Sequence, residues 1–138
     1  MTHLVVLDNE AVQALSHPAH KKHVHVMSHV QVMVAGRKGR GLPVTVVVPT
    51  AVRVEAGWNR TVAAWAFLNR LLIGDITLDG SSANIAASIR QDERVSVADA
   101  HIGAVIQAAT ATKVTVITSD PEDVRRVAGD EEVNIVTI

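Results

Sequence analysis

The chain reads as an α/β protein built on parallel strands, and three features predict it. Short unbroken runs of aliphatic and β-branched residues, LVVL, VTVVV and VTVI, recur along the sequence. Such runs suit strands covered on both faces, as parallel strands are. Between them lie longer segments with apolar residues at helical spacing, and strands alternating with helices imply parallel β-α units joined by right-handed crossovers. Finally, acids stand beside these runs: Asp8 after LVVL, Glu55 after VTVVVPT, Asp99 within VSVADA and Asp120 after VTVIT. Parallel sheets bind ligands at the carboxyl ends of their strands, so this placement predicts one acidic pocket assembled from four distant segments.

Leu4 to Leu7 is a short buried strand, and Asp8-Asn9 opens a helix through Ala11 to Leu15. His17-Pro18 breaks the chain. A second helix is expected from Pro18 to about Ala35, because Val26, Met27, Val30, Met33 and Val34 share one face. GRKGRGLP reads as a loop, and Val44 to Val48 as the second buried strand. Pro49-Thr50 opens a helix carrying Arg53 and Glu55, another helix is expected from about Thr61 to Ile73, and Asp75 to Leu78 is a short extended piece. Asp79-Gly80 is a turn, after which Ser81 or Ser82 caps a helix to about Gln91. Ser96 and Asp99 form a capping-box pattern that places Asp99 in the first turn of the next helix. Val114 to Ile117 is a strand, Pro121 starts a helix to about Ala128, and Val133 to Ile138 is the last strand.

At 138 residues the chain has the length of one domain, expected to run from 1 to 138 with a sizeable core. That core must be aliphatic, since two Trp and one Phe are the whole aromatic content. A mean hydropathy of +0.23 is high for a small chain, which predicts apolar surface covered by another chain or a sheet buried on both faces. The absence of cysteine excludes disulfides, thiol nucleophiles and thiolate metal sites. MTHLVVLDNE lacks the basic region of a signal peptide, and no apolar stretch approaches the ~20 residues of a membrane span. A cytoplasmic location without membrane contact is expected. A net charge of −1 leaves nucleic-acid binding open, because the grouping of basic residues decides it.

Clustered carboxylates repel one another unless something neutralises them. An all-oxygen donor set favours Mg²⁺ or Mn²⁺ over zinc. One or two such ions could polarise a phosphate oxygen and lower the pKa of a water. Thr118 and Ser119 place hydroxyls beside Asp120, and Asp123 one helical turn on is a candidate fifth acid. Each acid also has a purely structural reading: Asp8 or Asp99 as a helix cap, Glu55 paired with Arg53 or Arg60, Asp120-Pro121 as a helix start.

The segments LVVLDNEAV, VPTAVRVEAGW, VADAHIGAVI and VITSDPEDV, in this order and spacing over nearly the whole chain, resemble the PIN-domain ribonucleases and most closely the VapC-like toxins of toxin–antitoxin pairs. The resemblance implies a three-layer α/β/α sandwich around a mostly parallel five-stranded sheet, and Mg²⁺- or Mn²⁺-dependent endonucleolytic cleavage of RNA. Carried over position by position, it makes Asp8, Glu55, Asp99 and Asp120 the acidic quartet. Thr118 takes the family's polar position and Asp123 the frequent extra acid, with Ser119 and Asn9 as supporting polar residues. It also implies a homodimer and a cognate VapB-like antitoxin whose tail fills the groove. Asn9, where Ser, Thr or Ala is common, and Val124, where a larger apolar residue is usual, depart from the family pattern and bear on local packing.

Five of the seven histidines lie between His17 and His29. His25 and His29 share a solvent face of their helix and could chelate a transition metal, while His20 and His23 border the buried stripe. His101 follows Asp99 closely and could approach a substrate. Trp58, Trp65 and Phe67 fall in one helical hairpin, read as base-stacking platform, interface anchor or core packing. Arg37, Lys38 and Arg40 could bind phosphates or answer a helix dipole. Two other classes compete with the nuclease: a non-catalytic RNA- or protein-binding domain that keeps the acids, and a receiver-like signalling domain. The receiver reading wants an aspartate where Pro49-Thr50 stands and a lysine after a late strand, whereas Lys113 precedes one. A dinucleotide-binding domain is excluded by the lack of GxGxxG after the first strand.

Overall fold

The computed structural model describes residues 2–38 and 43–138, the side chains of 34–38 excepted. Five strands, β1 (His3–Leu7), β2 (Val44–Pro49), β3 (Gly74–Ile76), β4 (Lys113–Thr118) and β5 (Asn134–Thr137), form one sheet in the order β3-β2-β1-β4-β5. Every pairing is parallel. Helices α1 (Asn9–Ser16), α2 (His23–Lys38), α3 (Thr50–Ala56), α4 (Ala66–Asn69), α5 (Gly80–Glu93), α6 (Val97–Ala108) and α7 (Pro121–Ala128) flank it, giving the expected three-layer sandwich. Among the described residues no helix is long and apolar enough to cross a membrane.

The strand order shapes the sheet's carboxyl edge. After β1 the chain builds outward through β2 and β3, then returns to lay β4 on the other side of β1 and continues to β5. The connections leaving β1 and β4 therefore diverge, and such a switch point opens a crevice at the strands' carboxyl ends. Asp8 directly follows β1, and Asp120 stands two residues beyond β4.

The core lies where the apolar runs meet. Val5, Val6 and Leu7 of β1 and Val116 and Ile117 of β4 are wholly inaccessible, as central strands covered on both faces must be. At the α6–α7 crossing, a Cβ added to Gly103 would stand 2.7 Å from both the Cβ and the carbonyl oxygen of Val127 and 2.8 Å from Ile89 Cδ1. Only glycine permits that approach.

Four local expectations are corrected. The second helix begins at His23, because His20 folds the preceding segment into turns: its Nδ1 accepts from Lys22 N–H at 3.0 Å, and its backbone N–H donates to the His17 carbonyl at 2.8 Å. A side chain that bonds its own neighbourhood competes with helix in this way. The expected Thr61–Ile73 helix is instead a 3₁₀ turn at Ala63–Trp65 followed by the single turn of α4. Asn69 ends it by accepting from Trp58 Nε1–H at 2.9 Å and donating to the Arg60 carbonyl at 2.8 Å, and Leu72 then turns the chain at φ 57°. Asp79, rather than Ser81 or Ser82, caps α5 by accepting from Ser82 N–H at 2.8 Å. Gly36 to Lys38, read as loop, belong to α2. Arg40 and the side chains of Arg37 and Lys38 lie outside the described residues.

Candidate functional site

Asp8 sits at the centre of the carboxyl edge. It caps α1, with Oδ1 accepting from Ala11 N–H at 2.8 Å, while Oδ2 accepts from Ser119 N–H at 3.2 Å. One carboxylate thus fastens the end of β1 to the segment after β4. It is buried, and burial pushes its carboxyl above the usual range. The Thr118 hydroxyl and the two backbone N–H groups pull it down, and Asp99 adds to the rise.

Asp99 occupies the first turn of α6, where Ser96 Oγ accepts from its backbone N–H at 3.0 Å. Half-buried, it too is raised by desolvation and by Asp120, against the Ser96 hydroxyl and Arg126. Glu55 projects from α3. Its residue surface is open, yet partial desolvation is the first cause of its raised pKa, with Asp99 and then Asp8 adding repulsion. Asp120 caps α7, its Oδ1 accepting from Asp123 N–H at 3.2 Å, while its own N–H donates to Thr118 Oγ1 at 2.9 Å.

These four acids line a single concavity of about 170 Å³, together with Asn9, Glu10 and Ser119, over an apolar base of Val52, Ala98 and Ile102. Among the described residues none of the four carboxylates has a salt-bridge partner. Arg53 and Arg60, the partners Glu55 would take in its purely structural reading, both bind Asp75, at 2.7 and 2.8 Å. The acids' mutual repulsion is therefore offset only by hydrogen bonds to Asp8 and Asp99 and by the more distant Arg126. Among the described residues no three His, Asp or Glu side chains stand together as a ready-made ligand group. The donor set is nonetheless of the kind a hard divalent cation takes: oxygen only, concave and in excess of local positive charge.

Other candidates fall on either side of the site. Thr118 is buried beneath it and bonds to its members without lining it. Asp123 lies outside the concavity, its carboxylate paired with Arg126. His101 is wholly buried in α6, with Nδ1 accepting from Ala51 N–H at 3.2 Å and Nε2 without a hydrogen-bond partner among the described residues. Desolvation lowers its pKa, against Asp79 and the Thr77 backbone, and its full burial makes it a core residue rather than a group facing the concavity. Glu10 was not singled out from sequence. It lines the concavity from the first turn of α1 while its carboxylate meets His20 at 3.2 Å and Lys22 at 3.5 Å. Its signal was its place two residues after Asp8, in a turn where helices favour acids anyway.

A larger open groove of about 560 Å³ adjoins the acidic concavity, sharing Glu55 and Ala98 with it and lined by Val54, Leu78 and Val97. Val54 is 82% and Val97 47% exposed. The aromatic stretch lies nearby: Trp58 is buried, stacks on Trp65 at 6.2 Å between ring centroids, and carries the Arg60 guanidinium at 4.3 Å. Trp58 is thus a core anchor and not a base-stacking platform.

No protein-family model matches the chain. No curated protein matches it either. Its fold is similar to that in the crystal structure of PAE2754 from Pyrobaculum aerophilum, with a TM-score of 0.51 and 15% identity over 91% of this chain and 87% of that one. At that identity the likeness concerns the fold alone.

Proposed function

We propose that this chain is a PIN-like endoribonuclease, the VapC-like toxin of a toxin–antitoxin pair, hydrolysing RNA phosphodiester bonds at the acidic concavity with Mg²⁺ or Mn²⁺. The observation that carries the reading is that Asp8, Glu55, Asp99 and Asp120, from four separate segments, line one concavity without salt-bridge partners among the described residues. These four would hold the cation. When bound, it supplies charge neutralisation and Lewis acidity at the scissile phosphate. The protein's part is preorganisation: Ala11 and Ser119 N–H fix both oxygens of Asp8, Ser96 holds the α6 turn that presents Asp99, and Thr118 holds the backbone of Asp120. Arg126, paired with Asp123 and close enough to pull down the Asp99 pKa, offers a guanidinium to an approaching phosphate. The exposed Val54 and Val97 give a VapB-like antitoxin or a second copy an apolar surface beside the acids.

The test is cleavage of total cellular RNA by purified protein with Mg²⁺ or Mn²⁺, with EDTA, and with Asp8→Asn prepared identically. Discrete fragments that need both the metal and Asp8 are expected. Cleavage that persists in the variant would refute the assignment. Folded, antitoxin-free protein that cuts nothing would favour the non-catalytic binding domain.

A further inference from the structure

A second constellation lies on α2, away from the acids. His25 and His29 are one turn apart, and their Nε2 atoms stand 3.1 Å from each other with the ring centroids 4.8 Å apart. The other histidines of this stretch are engaged elsewhere: His17 Nδ1 with Ser16 Oγ at 2.6 Å, His20 with Glu10 and Lys22 N–H, and His23 Nδ1 with the Ala14 carbonyl at 2.8 Å.

The geometry of the pair is that of a chelate. Two imidazoles sharing one ion at about 2.05 Å, ring axes aimed at it, hold their nitrogens about 2.9 Å apart at a right angle and about 3.3 Å apart at the tetrahedral angle. The 3.1 Å separation falls between them. For such a pair the ring centroids stand about 4.8 Å apart, which is the separation found. In the metal-free chain the contact is a bent Nε2–H···Nε2 hydrogen bond, since a straight one would spread the centroids to about 5.4 Å. Loss of the shared proton would leave two imidazole nitrogens at chelating distance on a face where His25 is exposed and His29 partly so.

We infer that His25 and His29 form a bidentate site for a borderline divalent transition metal, Zn²⁺ in the first instance. Imidazole selects such ions over Mg²⁺ and Mn²⁺, which the oxygen-only concavity prefers, so the two sites sort metals by ligand chemistry. Among the described residues no third His, Asp or Glu completes the set. The remaining coordination positions go to water or to a donor from another molecule.

The test is calorimetric titration of the untagged full chain with Zn²⁺ in excess Mg²⁺, which occupies oxygen sites. Wild type is expected to bind one equivalent. His25→Ala and His29→Ala, on an accessible helix face where alanine is the better helix former, should each weaken binding about tenfold or more by removing the chelate. His17→Ala and Asp8→Asn should leave it unchanged. Zn²⁺ should also raise the Tm of wild type and not of His29→Ala. No binding by wild type, equal affinity in His29→Ala, or loss of binding in Asp8→Asn would each overturn the inference.

Discussion

The backbone N–H of Ser119 donates to Asp8 Oδ2 across 3.2 Å, joining residues 111 positions apart in the chain. Through this contact a residue that caps α1 also closes the switch point between β1 and β4. Asp8 therefore has two duties, one in the fold and one in the proposed chemistry, and substitutions can separate them.

Asp8→Ala removes the cap and leaves two backbone N–H groups without their acceptor, at a cost of about 2–3 kcal/mol. Asp8→Asn keeps one acceptor and removes a buried charge, so its stability should stay close to wild type. RNA cleavage should be lost in both. Urea unfolding paired with the cleavage assay checks this; an Asp8→Asn variant as unstable as Asp8→Ala would show that both carboxylate oxygens are indispensable to the fold.

Asp8, Glu55 and Asp99 all titrate above the ordinary carboxylate range, chiefly through desolvation. In that window the folded chain holds more protons than the unfolded one, so these three groups lower stability as pH climbs from the ordinary carboxylate pKa through their raised values. Asp79, which caps α5 and titrates low, works in the opposite sense, which makes the difference between variant and wild type the useful quantity. Asp99→Asn should become progressively more stable than wild type on passing from acid to neutral pH. Mg²⁺ should raise the wild-type Tm at neutral pH and not in acid. Parallel melting curves of the two proteins across that range would contradict the raised titration of Asp99.

Gly103→Ala drives a methyl group onto the backbone and side chain of Val127. Overpacking of this kind costs about 1–3 kcal/mol, and a backbone carbonyl cannot rotate out of the way as a side chain can. Chemical denaturation should show the loss. An unchanged midpoint would mean that α6 and α7 separate with ease.

Asn69→Ala deletes the acceptor of Trp58 Nε1–H and the donor to the Arg60 carbonyl. Leaving a buried indole N–H unpaired costs about 1–3 kcal/mol. Near-ultraviolet circular dichroism should change with it, because the stacked Trp58 and Trp65 lose their clamp. Asn69→Asp keeps the acceptor for Trp58 and should recover part of the signal.

The strands and most helices were legible in the sequence because their signals are local. A short aliphatic run such as LVVL, closed by Asp-Asn, reads by its length and flanks as a buried strand, and Pro121 after Asp120 marks a helix start that the structure matches from Pro121 to Ala128. The broken helix around Trp65 was not legible, since its interruption comes from Asn69 reaching back to Trp58 and Arg60, contacts set by tertiary packing. Asp79 displaced the serines as a cap for a similar reason: all three can cap, and backbone geometry chose among them.

For the site, the sequence by itself determined which residue types stand beside the strand ends, because the alternation of strands and helices is written in hydrophobic spacing. Tertiary structure decided the rest. The order β3-β2-β1-β4-β5 brought Asp8, Glu55, Asp99 and Asp120 to one concavity. Side-chain pairing turned Asp123 toward Arg126, and burial took His101 into the core. Hydrophobic periodicity records which face of an element is buried, whereas ion pairing and desolvation depend on neighbours that the chain places only once it has folded.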